Sequence, residues 1–313
     1  MSATGVKARR AGIVTGGGRG IGRAAALALA GDGHLVCVND TGVRVDGRRP
    51  DRVPAEAVAE EIRAAGGQAF AVDGDARTRT GAEALVAMVE AWAGEAPSVL
   101  VHAAGTLRDA MVHKASDEDW SEVLGSHLAV AVELTRAMAG SLRREGYGRI
   151  VYVGGAAGLV GTVGQAAYAV AKAGLFGLTR AVALEMAGRD VCVNYVAPFA
   201  FTRMTESIPP VTEQLRDYLR SAPAARPEDV APLVAWLCSP AASGVSGQVF
   251  GARGAEMTLW SQPRPVVRLV EKVGWSAEAL AGARSRLDPH LVPLESEFDL
   301  FGGPPVAVAG RPG

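Results

Sequence analysis

The stretch AGIVTGGGRGIGRAAALALA, residues 11–30, constrains this chain more than any other. An apolar run of strand character enters a turn with glycines at 16, 17, 18, 20 and 22, and an alanine-rich helix signal follows at once. Glycines between a strand and a helix start let backbone N–H groups approach a pyrophosphate, which the positive end of the helix favours. The pattern Thr15-Gly16-x-x-x-Gly20-Ile21-Gly22 therefore predicts a βα dinucleotide turn. Arg19 is a candidate phosphate contact, and Gly22 is expected to serve close helix–sheet packing.

The rest of the chain repeats this alternation. Apolar runs at 11–15, 35–39, 68–72, 98–102, 149–153 and 191–196 are separated by helical patterns at 20–30, 54–65, 80–93, 117–144 and 165–187. A further helix is predicted over 227–238 and a last strand near 248–251. Strands joined by helices imply parallel pairing, and runs rich in Val, Ile and Leu imply burial on both faces. The expectation is an α/β fold, a doubly wound parallel sheet of Rossmann type with helices on both faces. It forms one domain over residues 1–254. Residues 255–313 are proline-punctuated, with a helical signal only at 276–284. Trp260, Leu269, Trp275, Leu300 and Phe301 favour a C-terminal extension that packs on the domain or on a partner subunit over a disordered one.

Composition removes several function classes. A net charge of −1 over 313 residues draws the chain to neither nucleic acid nor an anionic membrane. Cys37, Cys192 and Cys238 lie in apolar runs and read as buried hydrophobes in a reducing compartment. The five histidines lack metal-ligand spacing, so no metal is expected. MSATGVKARR lacks the apolar core of a secretory signal, and no uninterrupted apolar run reaches the roughly 20 residues of a span. A soluble, cytoplasmic protein is expected.

The second strand ends in VCVND, and Asp40 lies 24 residues beyond Gly16. A carboxylate there accepts hydrogen bonds from the adenosine ribose and repels a 2′-phosphate, favouring NAD over NADP. Against this stand Arg19 and the cluster Arg44, Arg48, Arg49 and Arg52, which reads either as a solvated basic loop or as a receptor for phosphates, those of coenzyme A included. Asp75, with Ala76 beside it, fits either the adenine edge or a helix cap. Tyr168 and Lys172 are an i, i+4 pair on one helix face, placed for proton transfer.

Four motifs, Thr15-Gly-x-x-x-Gly-Ile-Gly, His102-Ala-Ala-Gly105, Tyr168-x-x-x-Lys172 and Asn194-x-x-Ala-Pro198, occur in the order and spacing of the short-chain dehydrogenase/reductase family. The chain resembles that family over residues 7–254. VNDTG, LRDAMVHKASDEDW, GQAAYAVAK and NYVAPFAFTRMT bring it nearest to the 3-hydroxyacyl-CoA dehydrogenase domains of peroxisomal multifunctional enzymes and their bacterial relatives. The resemblance implies that Tyr168 is the proton donor and acceptor, and that Lys172 lowers its pKa and binds the nicotinamide ribose. It implies that His102, Ala103 and Gly105 border the adenosine half, and that Pro198, Thr202 and Met204 meet the nicotinamide end. Residues 203–227 would be a substrate lid, and the helices at 117–144 and 165–187 would join subunits into a homodimer or homotetramer.

Three positions depart from the family. The serine expected thirteen residues before the tyrosine is Gly155, and its neighbour Gly154 has no hydroxyl either. The asparagine of the central helix is His127, and His102 opens the Ala-Ala-Gly motif. Losing one preorganised donor to a developing oxyanion costs about 10²–10³ in rate. Substitutes are the backbone N–H of Gly155 or Ala156, the hydroxyl of Thr162, or a hydroxyl on the substrate. Three functions stay open. One is an NAD(P)-dependent oxidoreductase acting on a secondary alcohol or ketone, carrier-linked or biosynthetic. The second is an enzyme of the same fold with non-redox chemistry, Tyr168 or His127 acting as acid/base. The third is a silent nucleotide-binding subunit.

Overall fold

The computed structural model describes residues 9–42, 54–202, 205, 213–295, 299–300 and 304–306. The arginines at 44, 48, 49 and 52, Met204, and most of the stretch 203–212 lie outside them. The N-terminal half runs β1 (Ala11–Thr15), α1 (Gly20–Gly31), β2 (Leu35–Asn39), α2 (Pro54–Ala64), β3 (Gln68–Val72), α3 (Arg79–Ala93) and β4 (Val99–His102). It continues through α4 (Asp117–Leu124), α5 (Val130–Glu145), β5 (Tyr147–Val153), α6 (Ala157–Val160), α7 (Ala166–Glu185) and β6 (Asp190–Pro198). After them come α8 (Glu213–Ser221), α9 (Pro227–Cys238), β7 (Val249–Arg253), β8 (Glu256–Leu259), α10 (Ala277–Gly282) and α11 (Arg284–Leu287).

The eight strands form one sheet in the order β3-β2-β1-β4-β5-β6-β7-β8. The first seven are parallel and β8 returns antiparallel to β7. The direction of winding reverses between β1 and β4, and at such a switch point the loops diverge and open a crevice at the carboxyl ends of the strands. Apolar residues cover both faces. Leu85, Leu134, Met138, Tyr152, Leu175 and Tyr195 fill one side, and Leu29, Val38, Ile62, Val230, Val234 and Leu237 the other. The three cysteines are buried with free thiols. The doubly wound reading holds.

Two elements differ from expectation. The helix predicted over 117–144 is interrupted by a π-helical turn, Gly125–Ala129. Ser126 accounts for part of it, since its hydroxyl donates to the carbonyl of Glu122 and accepts from the N–H of Thr106, drawing the backbone out of register. The sheet also continues past residue 254. β8 pairs with β7, and the Ala255 N–H donates to the carbonyl of Val306, so parts of the extension are seated on the domain. α7 has the length and mean hydropathy of a membrane span, 20 residues at 1.2. Lys172 and Arg180 interrupt it, and it packs through Ala167, Ala171, Leu175 and Val182.

Candidate active site

A cleft of about 710 Å³ opens at the switch point. Its floor is the turn after β1, and the turn's glycines are there for steric reasons. Gly16 has φ +64°, and a Cβ on it would lie 2.7 Å from the backbone of Ala104. On Gly22 a Cβ would fall 2.1 Å from the Gly16 carbonyl oxygen, so the first turn of α1 packs on the turn's own backbone without room for a side chain. Arg19 is the N-cap of α1 in extended conformation and makes no side-chain cap bond, which leaves the first N–H groups of the helix turned to the cleft. Arg19, Gly20 and Ile21 line the wall with Gly16 and Gly22.

Asp40 stands at the end of β2 on the same wall. Its two carboxylate oxygens accept from the N–H groups of Gly18, at 3.1 Å, and Gly42, at 2.8 Å. Asp75 and Ala76 also line the cleft, and Asp75 accepts from the backbone and side chain of Arg77. The capping alternative for Asp75 fails, because Thr78 is the N-cap of α3 and accepts from Gly81. Arg77 reaches on to Glu122 of α4 at 2.8 Å and closes the cleft beyond Asp75. A glycine cradle in which a Cβ at 16, 17, 18 or 22 would clash, an uncapped helix start and a carboxylate at the second strand's end fit a dinucleotide.

Thr15 and His102, expected to touch cofactor, do not line the cleft. Both are fully buried and support its wall. His102 Nε2 donates to the carbonyl of His127 at 2.6 Å, because a carbonyl only accepts. Its Nδ1 is then the acceptor for the Thr15 hydroxyl at 2.8 Å. Burial, with Lys172 nearby, pushes the His102 pKa down to about 3, so the ring is neutral. Ala103, Gly105, Pro198 and Thr202 do line the cleft as expected.

The chemical end gathers Tyr168, Lys172, His127 and Gly155. Lys172 is buried, its ammonium donates to the Val153 carbonyl at 2.8 Å, and it lies 5.3 Å from the Tyr168 ring centroid. Burial pulls its pKa down to about 7. His127 stands edge-on to Tyr168, with centroids 5.2 Å apart. Its ring occupies the space where a Cβ on Gly105 would be, 1.7 Å from Cε1. Nε2 of His127 donates to the Thr106 carbonyl at 2.8 Å, whereas Nδ1 is buried with no hydrogen-bond partner among the described residues. Burial holds this imidazole neutral too.

A Cβ on Gly155 would lie 3.0 Å from the Tyr168 hydroxyl, so residue 155 does face the tyrosine. Its N–H is no substitute donor for a bound oxygen, because it already donates to the Tyr195 hydroxyl at 2.9 Å. Thr162 is not on the cleft wall. Phe199 and Phe201 give the cleft an apolar wall, and they pack with Ala156, Ala222, Leu219 and Trp260. A phenol, an ammonium and an apolar wall in one cleft can orient an oxygen-bearing carbon and move its proton.

A family model described as enoyl-(acyl carrier protein) reductase matches residues 16–254. This chain is a short-chain dehydrogenase/reductase. The family consists of oxidoreductases that bind NAD(P). A hydroxyacyl-CoA dehydrogenase of Mycobacterium tuberculosis is 40% identical over 267 residues, 80% of this chain and 79% of the relative. The mouse peroxisomal multifunctional enzyme type 2 is 40% identical over 72% of this chain, which spans 29% of that longer protein. A short-chain dehydrogenase from Mycobacterium avium, solved by crystallography, superposes with a TM-score of 0.77 at 35% identity, covering 98% of this chain and all of that one. The family expected from the four motifs is therefore the right one.

Sequence reasoning missed Arg77, Phe199, Phe201 and Tyr195. A signal existed for the last. Two consecutive glycines at a strand end ask what large side chain fills their space, and the neighbouring strand carries the only tyrosine of NYVAP.

Proposed function

We propose that this enzyme interconverts a secondary alcohol and a ketone on a 3-hydroxyacyl thioester or a similar carrier-linked substrate, using NAD. The observation that carries this reading is the convergence of Tyr168, Lys172, the glycine turn and Asp40 on one cleft. When bound, the nicotinamide supplies or accepts the hydride. Tyr168 holds and moves the proton of the substrate oxygen, and Lys172 steadies the phenolate and the ribose hydroxyls. Asp40 supports NAD over NADP, because its carboxylate stands where a 2′-phosphate would be repelled. The apolar wall of Phe199 and Phe201 suits an acyl chain. The relatives named as hydroxyacyl-CoA dehydrogenase and multifunctional enzyme support the same substrate class.

Of the expected lid over 203–227, α8 is the described helix, and its Leu219 packs with the cluster that holds Phe199 and Phe201. The subunits pair through α4, α5 and α7, where Val170 and Leu184 of α7 are 49% and 72% exposed. Light scattering tests that assembly: a dimer or tetramer is expected, and a monomer refutes it.

A second reading, non-redox acid/base chemistry, draws on two observations. Residue 155 presents no hydroxyl, and Nδ1 of His127, beside Tyr168, has no hydrogen-bond partner among the described residues. Nicotinamide absorbance, followed with 3-hydroxyacyl-CoA and 3-oxoacyl-CoA in the presence of NAD(H) or NADP(H), separates the two. Turnover with NAD(H), abolished by Tyr168→Phe, is expected. Substrate conversion at constant cofactor redox state refutes the redox reading.

A further inference from the structure

We propose that Tyr195 is a positioning residue that fills the space of the side chain missing at 154 and holds the backbone of residue 155. It rests on the redox reading above for its kinetic consequence, and on geometry alone for its structural one.

Tyr195 is fully buried on β6, directly across from Tyr152 of β5. Its ring occupies the volume a side chain at 154 would need. A Cβ on Gly154 would lie 1.9 Å from Tyr195 Cζ and 2.3 Å from its hydroxyl oxygen. Phe176 of α7 holds the ring from behind, edge-on at 6.3 Å. Gly154 and Tyr195 are therefore a matched pair, since no larger residue at 154 coexists with this ring.

The hydroxyl goes further than filling space. It accepts from the Gly155 N–H at 2.9 Å and donates to the Gly155 carbonyl at 2.7 Å, engaging both polar groups of one residue. A glycine pair is the most freely rotating dipeptide a chain can place at a strand end. Here it borders Tyr168, 3.0 Å from a Cβ at 155. Gly154 is tied through its N–H to the Val196 carbonyl at 2.7 Å, and Gly155 is tied by Tyr195. The phenol hydroxyl thus fixes the wall against which Tyr168 presents its own, without touching the substrate.

Tyr195→Phe tests this, because it keeps the ring and removes both bonds. A misplacement of about 1 Å costs ~10²-fold in rate. For the smaller loosening expected here, kcat per folded enzyme falls about tenfold, while the NADH dissociation constant and substrate KM stay within about twofold. Amide hydrogen exchange at residues 154–156 speeds up, a readout that does not depend on which chemistry the site performs. Unchanged exchange overturns the proposal, and so does unchanged kcat in an enzyme that turns over. Wild-type protein without redox turnover would sink the functional reading instead, and exchange alone would then decide for Tyr195. A second pair of variants guards against misfolding. Gly154→Ala alone is expected to lower Tm and activity, and in the double variant with Tyr195→Ala the Gly154→Ala change is expected to cost less Tm than it does in the wild-type background. A tolerated Gly154→Ala overturns the claim that the ring fills that space.

Discussion

Gly155→Ser is the most informative single change at the chemical end. The replacement restores a hydroxyl facing Tyr168, and one preorganised donor to a developing oxyanion is worth about 10²–10³ in kcat. The structure also sets an opposing term. The new Cβ would stand 3.0 Å from the Tyr168 hydroxyl oxygen and 3.5 Å from its Cε1. Ordinary contact begins near 3.4 Å, so Tyr168 must retreat by about 0.4 Å, the difference of the two values. Scaled from ~10² per ångström of misplacement, that retreat subtracts somewhat less than one order of magnitude. The net expectation is a gain of about 10- to 100-fold in kcat for reduction of a 3-oxoacyl thioester. Initial rates of NADH oxidation measure it. NADH affinity, read by fluorescence, should not change, because the glycine cradle and Asp40 are untouched. Unchanged or lower kcat at unchanged NADH affinity would refute the reasoning: either the carbonyl already has a donor, or carbonyl reduction is not the reaction.

Three further outcomes follow from the site. Asp40→Ala should weaken NAD binding and bring NADP turnover closer to that with NAD, since the carboxylate that repels a 2′-phosphate is gone; an unchanged cofactor ratio counts against Asp40 as the selector. Lys172, with its pKa lowered from 10.5 to about 7, carries a folding penalty that is fully present below pH 7 and is relieved as pH rises towards 10.5, where the unfolded chain also gives up its proton. Melting temperatures of wild type and Lys172→Met should therefore converge over that interval, and a constant offset from pH 6 to 10 would contradict the shift. His102→Leu strands the Thr15 hydroxyl and the His127 carbonyl in the core, at about 1–3 kcal/mol for each unsatisfied group. Chemical denaturation should register that loss, and a stability change below 1 kcal/mol would show that the network is slack.

Much of the scaffold could be read from the chain alone, because its signals are local. The strands at 11–15, 35–39 and 68–72 lie where five-residue apolar runs meet turn residues, and the structure has the same boundaries. The glycines at 16 and 22 follow from the close approach that a βα turn demands, and Tyr168 and Lys172 share a helix face through spacing alone. The π turn at Gly125–Ala129 was not legible. Helical periodicity runs unbroken through it, and part of the cause is Ser126 meeting Thr106, a partner twenty residues away. Nor was the burial of His102 and Thr15 under the wall, since a strand-end side chain points into or away from a crevice according to how neighbouring strands pair.

The missing serine shows the division best. From the sequence came the absence of a hydroxyl at 155, a fact about composition at one position. Tertiary structure decided what holds the backbone of that residue. Val153 pairs with Val196 across β5 and β6, and that register sets Tyr195 over the two glycines with its hydroxyl on the Gly155 backbone. Forty residues separate the partners, so no local pattern encodes the contact; it exists only because parallel strands align their ends.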